Sequence, residues 1–154
     1  MTKLFITADQ VKQTTAISGA TDNGLISKSI YLMQTTEILR ILGLDLYDKI
    51  YNDLYNAVPL TGEYLTIFNR YIIDMHVHWA AYHFTLFNEV KQSNIGNIAP
   101  NGSANNTNEI AEKYKGLAVS IEGNLRTYLD KIKLPEWITP DNSDNEITNV
   151  TNFY

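Results

Sequence analysis

The stretch LTIFNRYIIDMHVHWAAYHFTL, residues 65–86, decides the fold class. Leu65, Phe68, Ile72, Met75, Trp79, Tyr82 and Leu86 follow an unbroken alternation of three- and four-residue steps, the spacing of one helix face. Tyr64, Ile67, Tyr71 and Phe84 populate other faces of the same helix. A helix that is apolar around most of its circumference must be enclosed by neighbours. The spacing therefore predicts a central helix in an all-α bundle. A coiled coil uses the same rhythm, but this run is short and poor in polar flanks, which favours bundle packing.

Working outward toward the amino terminus, Thr7 followed by Gln10 is a capping-box pattern and opens a short helix ending near Gln13. The stretch Thr14 to Gly24 is polar and holds two glycines. Leu25, Ile26, Ile30, Met33, Ile38, Leu39, Ile41 and Leu42 then recur at helical spacing, predicting a second helix from about Asn23 to Leu42. Gly43 stands where a left-handed helix stop is wanted, and Asp45 with Asp48 supplies a cap and a first-turn acid for a third helix. That helix carries Leu46, Ile50 and Leu54 beside Tyr47, Tyr51 and Tyr55, and the tyrosine ladder suits a core or an interface equally. Pro59 marks a turn, after which Thr61 can cap the central helix.

Beyond the central helix the apolar pattern collapses from Asn88 to Asn108, with six asparagines from Asn94 onward, two glycines and Pro100. A projecting loop over 89–108 is expected, far longer than ordinary bundle connections. Ile95 and Ile98 flank Gly96 and Asn97, so a hairpin or extended arm fits, and apolar residues in such an arm need a partner. The last long helix is expected from near Thr107, with Ile110, Tyr114, Leu117, Ile121, Leu125, Tyr128 and Ile132 as its buried stripe. Gly116, Ser120 and Gly123 line one strip of it, either for close approach of a neighbour or as tolerated small residues. Leu134-Pro-Glu-Trp137 and Ile138 end the helical part. The expected organisation is a helical domain over 1–138, built of four to five helices, followed by an extended acidic tail over 139–154.

The chain has 154 residues, enough for one core that buries roughly 70% of the unfolded surface. It has no cysteine, which excludes disulfides, cysteine-ligated metal centres and thiol nucleophiles. No apolar run reaches the length of a membrane span or of a signal peptide, and a cytosolic folding compartment is permitted. The net charge is -5, and residues 134–154 carry Glu136, Asp141, Asp144 and Glu146 with no base. The body is thus close to neutral and lacks the basic footprint of a nucleic-acid binder. The tail cannot bury enough apolar surface alone and is expected to order only when its acids and aromatic anchors meet a complementary surface.

Catalytic candidates are few. Asp74, His76, His78 and His83 are of metal-ligand type, but His76 and His78 lie about 200° apart on a helix and cannot share an ion. Asp74 with His78 is a workable same-face pair, for which a helix-stabilising contact is the commoner reading. His83 reads as a hydrogen-bonded core or interface histidine. No phosphate loop, dinucleotide fingerprint, nucleophile elbow or zinc-protease motif occurs. No catalytic residue, metal site or cofactor is expected, and a helical metal-dependent enzyme using Asp74 and His78 or a small protein-binding regulatory module are the competing readings.

The segments Ile6-Thr-Ala-Asp-Gln-Val-Lys, Ile41-Leu-Gly-Leu-Asp-Leu-Tyr47, the aromatic central helix, the Asn-rich loop and Leu134-Pro-Glu-Trp137 resemble, in order and wording, the head-completion or head-tail adaptor proteins of tailed bacteriophages. They come nearest to ring-forming members from phages of the crAss-like group, and the similarity covers most of the chain. The resemblance implies a non-enzymatic virion protein of the head-tail neck, assembled in the host cytoplasm as a homo-oligomeric ring, usually of 12 copies. It further implies docking to a portal protein and to neck or tail rings, with DNA passing through the channel without sequence-specific binding and no membrane involved. Mapped here, the partner-binding segments would be Ile95, Gly96, Asn97, Ile98 and Pro100 of the loop, with Trp137, Ile138, Phe153 and Tyr154 of the carboxyl end.

Overall fold

A computed structural model describes residues 2–94 and 103–138. Among the described residues the chain is all-α, with five helical rods. Helix α1 spans Ala8–Thr14. Helix α2 runs continuously through Asn23–Met33, a π-helical turn at Gln34–Ile38, and Leu39–Leu42. Helix α3 is Leu44–Tyr55. Helix α4 joins Gly62–Ile67, a second π turn at Phe68–Ile72, and Ile73–Asn94. Helix α5 is Ser103–Ile132. Among the described residues no helix is long and apolar enough to cross a membrane.

The expected centre is the observed one. Helix α4 packs along α5 on one side and along α2 on another, with α1 closing over both α2 and α4. Ile72, Met75, His76, Val77, Ala80 and Ala81 are each essentially inaccessible, so consecutive residues around the helix are all enclosed. The capping box forms as expected: Thr7 Oγ1 accepts from the Gln10 amide, and the Gln10 side chain accepts from the Thr7 amide at 2.8 Å.

The π turn in α4 corrects the expected stripe. A π turn inserts one extra residue into the helical path and rotates everything before it relative to everything after. Leu65, read as the first buried residue of the stripe, is therefore 43% exposed, and Ile67 is the buried residue in its place. A similar correction applies to α5, where Ile110 and Leu117 face outward while Ala111, Ala118 and Leu129 are fully buried. Buried alanines on both α4 and α5 let the two rods approach closely, so small residues occupy the interface and larger ones flank it. The expected loop over 89–108 is also shorter at both ends, because helix continues to Asn94 and resumes at Ser103. Apolar periodicity reports burial, and an established helix propagates through polar residues at little cost.

Two capping expectations change as well. Gly43 has φ 74° and ψ 162°, an extended positive-φ conformation open to glycine and not the left-handed helical one. It serves as the end of α2 and the start of α3 together, so Asp45 lies inside the first turn and caps nothing. Thr61 precedes α4 without a side-chain cap bond. The strip of Gly116, Ser120 and Gly123 is exposed, and a Cβ at either glycine would meet no described atom within 4 Å, so no described helix approaches there.

The amino-terminal segment is fixed to the body by one amide. Gln34, fully buried inside the π turn of α2, accepts from the Phe5 N–H at 2.7 Å, donates to the Lys3 carbonyl at 3.0 Å and donates to the Tyr47 hydroxyl at 3.3 Å. Phe5 then sits among Tyr47, Tyr51, Phe68 and His76, with ring centroids 5.4 to 6.4 Å away. The tyrosine ladder grades from core to surface: Tyr47 is buried, Tyr51 half-buried and Tyr55 exposed, stacked at 5.9 and 6.0 Å. Replacing Gln34 by Ala leaves the buried Phe5 amide and its neighbours without partners, at roughly 1–3 kcal/mol for each stranded group. Urea unfolding of Gln34→Ala is expected to show a loss of roughly 2–4 kcal/mol with the m-value unchanged.

Candidate interaction surface

The joint between α2 and α3 and the end of the described chain meet on one side of the bundle. Because Gly43 turns the backbone without a gap between helices, Leu44 is thrust outward and is 63% exposed. At the other end of the sequence, Lys133 takes a positive φ of 51° and its N–H returns to the Leu129 carbonyl at 3.0 Å, ending α5 and reversing the chain. The reversed segment is then held at both Trp137 and Glu136. The Trp137 amide bonds the Leu134 carbonyl at 3.0 Å, its indole N–H donates to Asp130 Oδ1 at 2.7 Å, and its ring lies 5.9 Å from the Arg126 guanidinium. Tyr64 donates to Glu136 Oε2 at 2.7 Å, and burial together with that bond pushes the Tyr64 hydroxyl up to about 12.

Between these two ends lies a pocket of about 300 Å³, bordered by Arg40, Gly43, Leu44, Arg126, Trp137 and Ile138. Its floor is tied by Glu122, which accepts from Arg40 of α2 at 3.1 Å and from Arg126 of its own helix at 3.0 Å, while Arg40 also holds Glu37 at 2.8 Å. Isolated exposed ion pairs contribute little. A shared carboxylate only 13% exposed, bridging two helices, fixes the geometry of both guanidinium groups. Beside the charged Arg40, Asp45 and Glu136, its border carries Leu44 and Ile138, the two most exposed large hydrophobic residues among those described, at 63% and 62%.

Of the residues named from sequence as partner-binding, Trp137 and Ile138 border this pocket. Ile95, Gly96, Asn97, Ile98, Pro100, Phe153 and Tyr154 lie outside the described residues, as does the tail over 139–154. Sequence reasoning missed Leu44, Arg40 and Arg126. A leucine placed directly after the helix-stopping glycine, out of phase with Leu46 and Ile50, was the available signal for Leu44.

The histidines take separate structural roles. His76 is completely buried and its Nε2–H donates to the Ile30 carbonyl at 3.0 Å, fixing the tautomer; that carbonyl also accepts from the Gln34 amide within the π turn. His78 donates from Nδ1 to the main-chain carbonyl of Asp74 at 2.7 Å, so the pair anticipated from sequence forms through the backbone and not through the carboxylate. His83 Nδ1 lies 3.0 Å from the buried Ser29 hydroxyl, with its ring stacked on Phe87. Among the described residues no three His, Asp or Glu side chains come together as a metal-binding group. His76 Nδ1 and Trp79 Nε1, three residues apart on α4, are buried without a hydrogen-bond partner.

No protein family, curated protein or solved structure matches this chain.

Burial holds His76 well below its usual range, at about 4. Between the unfolded value of 6.5 and the folded value of about 4, the unfolded chain binds a proton that the folded chain refuses, so stability falls as pH drops through this window. Above 6.5 the contribution is fully present. Denaturant titrations from pH 7.5 to 4 are expected to show a loss of roughly 3 kcal/mol traceable to His76, because the slope flattens by that amount in His76→Gln.

Proposed function

We propose that this chain is a virion structural protein, a head-tail connector ring subunit that docks to a portal protein and extends the DNA channel toward the tail. The observation that carries the reading is the meeting of two segments far apart in sequence. Ile41–Tyr47 and Leu134–Trp137, both among the stretches that resemble head-tail adaptors, border one pocket flanked by Leu44 and Ile138, the two most exposed large hydrophobic residues described. Exposed hydrophobic residues scattered singly need no explanation, whereas two brought together beside a formed pocket from distant parts of the sequence mark a candidate contact surface.

A ring requires heterologous contact, in which one surface of each subunit meets a different surface of the next. The pocket and rim offer one such surface. It combines fixed guanidinium groups with Trp137, residue types enriched where binding energy concentrates. The near-neutral body suits a channel through which DNA slides without adhering.

The test is incorporation. Leu44→Asp combined with Ile138→Asp places carboxylates on two exposed positions, so the helical far-ultraviolet spectrum and melting temperature are expected to stay unchanged. Mixed with portal-bearing particles and examined by electron microscopy, the double variant is expected to be absent from the neck where the unmodified chain forms a ring. Normal incorporation of the double variant would exclude this pocket as the assembly surface, and a chain that stays monomeric beside every neck component would exclude the connector reading itself.

A further inference from the structure

Another side of α5 carries a second depression. Ile121, Asn124, Thr127, Tyr128 and Lys131 face Arg70 and Tyr71 of α4 across a groove of about 490 Å³. Its aromatic wall is Tyr71 against Tyr128, with ring centroids 5.4 Å apart, and the Arg70 guanidinium lies 5.4 Å from the Tyr71 centroid. Among the described residues, neither Arg70 nor Lys131 forms an ion pair. The carboxylate at the groove's edge is Glu63, which accepts from the Tyr128 hydroxyl at 2.7 Å. Two cations that form no ion pair among the described residues, lining one groove with a pair of aromatic rings and the Asn124 amide, fit an extended peptide that carries carboxylates and aromatic or branched apolar side chains.

We propose that this groove is the docking site of the chain's own segment 139–154, bound within the same molecule. That segment carries Asp141, Asp144 and Glu146 with no base, followed by Ile147, Val150, Phe153 and Tyr154, which is the complementary chemistry. Its starting point is fixed close by, because Trp137 is bonded to Asp130, the neighbour of Lys131. The groove lies on a different side of α5 from Asp130, and a helix with its side chains is about 10–12 Å across. Six to eight residues reach at most ~20–28 Å, so Asp144 and Glu146 can pass round the end of α5 to Lys131 and Arg70. A tether this short holds the segment at an effective concentration in the millimolar range, which decides for the same molecule over a second copy at ordinary concentrations. The inference does not depend on the connector reading. It assigns a state of the free chain, in which the acidic segment is occupied until a competing surface displaces it.

The absence of cysteine makes the test direct. A nitroxide attached to the full chain through Asn149→Cys is the unique paramagnetic probe, and nitrogen-15 amide spectra are read before and after its reduction. In dilute solution the expected result is selective broadening of Arg70, Tyr71, Asn124, Thr127, Tyr128 and Lys131, weakening as ionic strength rises to about 1 M, where the screening length is ~3 Å. Arg70→Glu with Lys131→Glu is expected to abolish the broadening. Asp141→Asn with Asp144→Asn and Glu146→Gln is expected to do the same without altering the helical body. Broadening that is absent, or that survives both variants, overturns the proposal. Broadening seen only between a labelled chain and a separate nitroxide-bearing copy gives the groove to a second molecule and overturns it equally.

Discussion

Enclosing α4 is the constraint from which the remaining architecture follows. Ile72, Met75, His76, Val77, Ala80 and Ala81 are buried in near succession, so no single flat partner could cover them. Three neighbours are required, and the chain supplies them as α2 on one flank, α5 on another and α1 with the amino-terminal segment over the seam. The burial of an imidazole at His76 follows from the same demand. Once α4 is surrounded, the buried imidazole meets a carbonyl through Nε2, and Ile30 of α2 provides it.

Both long rods that flank the seam contain a π turn, and the two turns solve a shared problem of phase. A strict α-helical path would carry the apolar face of α2 or α4 away from its partner over the length observed. Inserting a residue at Gln34–Ile38 and at Phe68–Ile72 resets the phase in each. In α2 the insertion also buries Gln34, whose amide substitutes for a strand partner by bonding the backbone of Lys3 and Phe5. The irregular turn and the anchored segment are therefore one device: the segment needs a donor and an acceptor at fixed spacing, and an amide buried in a widened helical turn supplies both.

This explains which parts of the fold were legible in the sequence. Thr7 with Gln10, the apolar circumference of α4 and the run from Asn23 to Leu42 are local patterns, and each formed as read. The π turns leave no signature in composition, which is why the three- and four-residue spacing places Leu65 on the buried stripe although it is exposed. Ile110 and Leu117 misled for a different reason. Hydrophobicity ranks them above Ala111 and Ala118, yet close approach of α4 and α5 is limited by volume, and the alanines occupy the interface. At the candidate surface Trp137 and Ile138 were visible as apolar residues beyond the last helix, whereas Leu44 became significant only when α3 began without a gap after Gly43.

The two surface depressions divide the chemistry of α5 between them. Glu122, Arg126 and Asp130 on one side are consumed in ties to Arg40 and Trp137, which makes that side rigid, with Leu44 and Ile138 as its exposed apolar residues. Around the helix, Lys131 forms no ion pair among the described residues and lines a groove with Arg70, so that side carries positive charge not tied within the described bundle. A rigid border carrying exposed apolar residues suits a partner that arrives preformed and fits by shape, because little ordering entropy is lost on contact. Cations with no ion pair among the described residues, beside aromatic rings, suit a chain that arrives unstructured and is ordered by the contact itself. One helix thus presents two surfaces of opposite kind, and the difference traces to a single choice in each turn: whether a charged side chain is already bonded within the bundle.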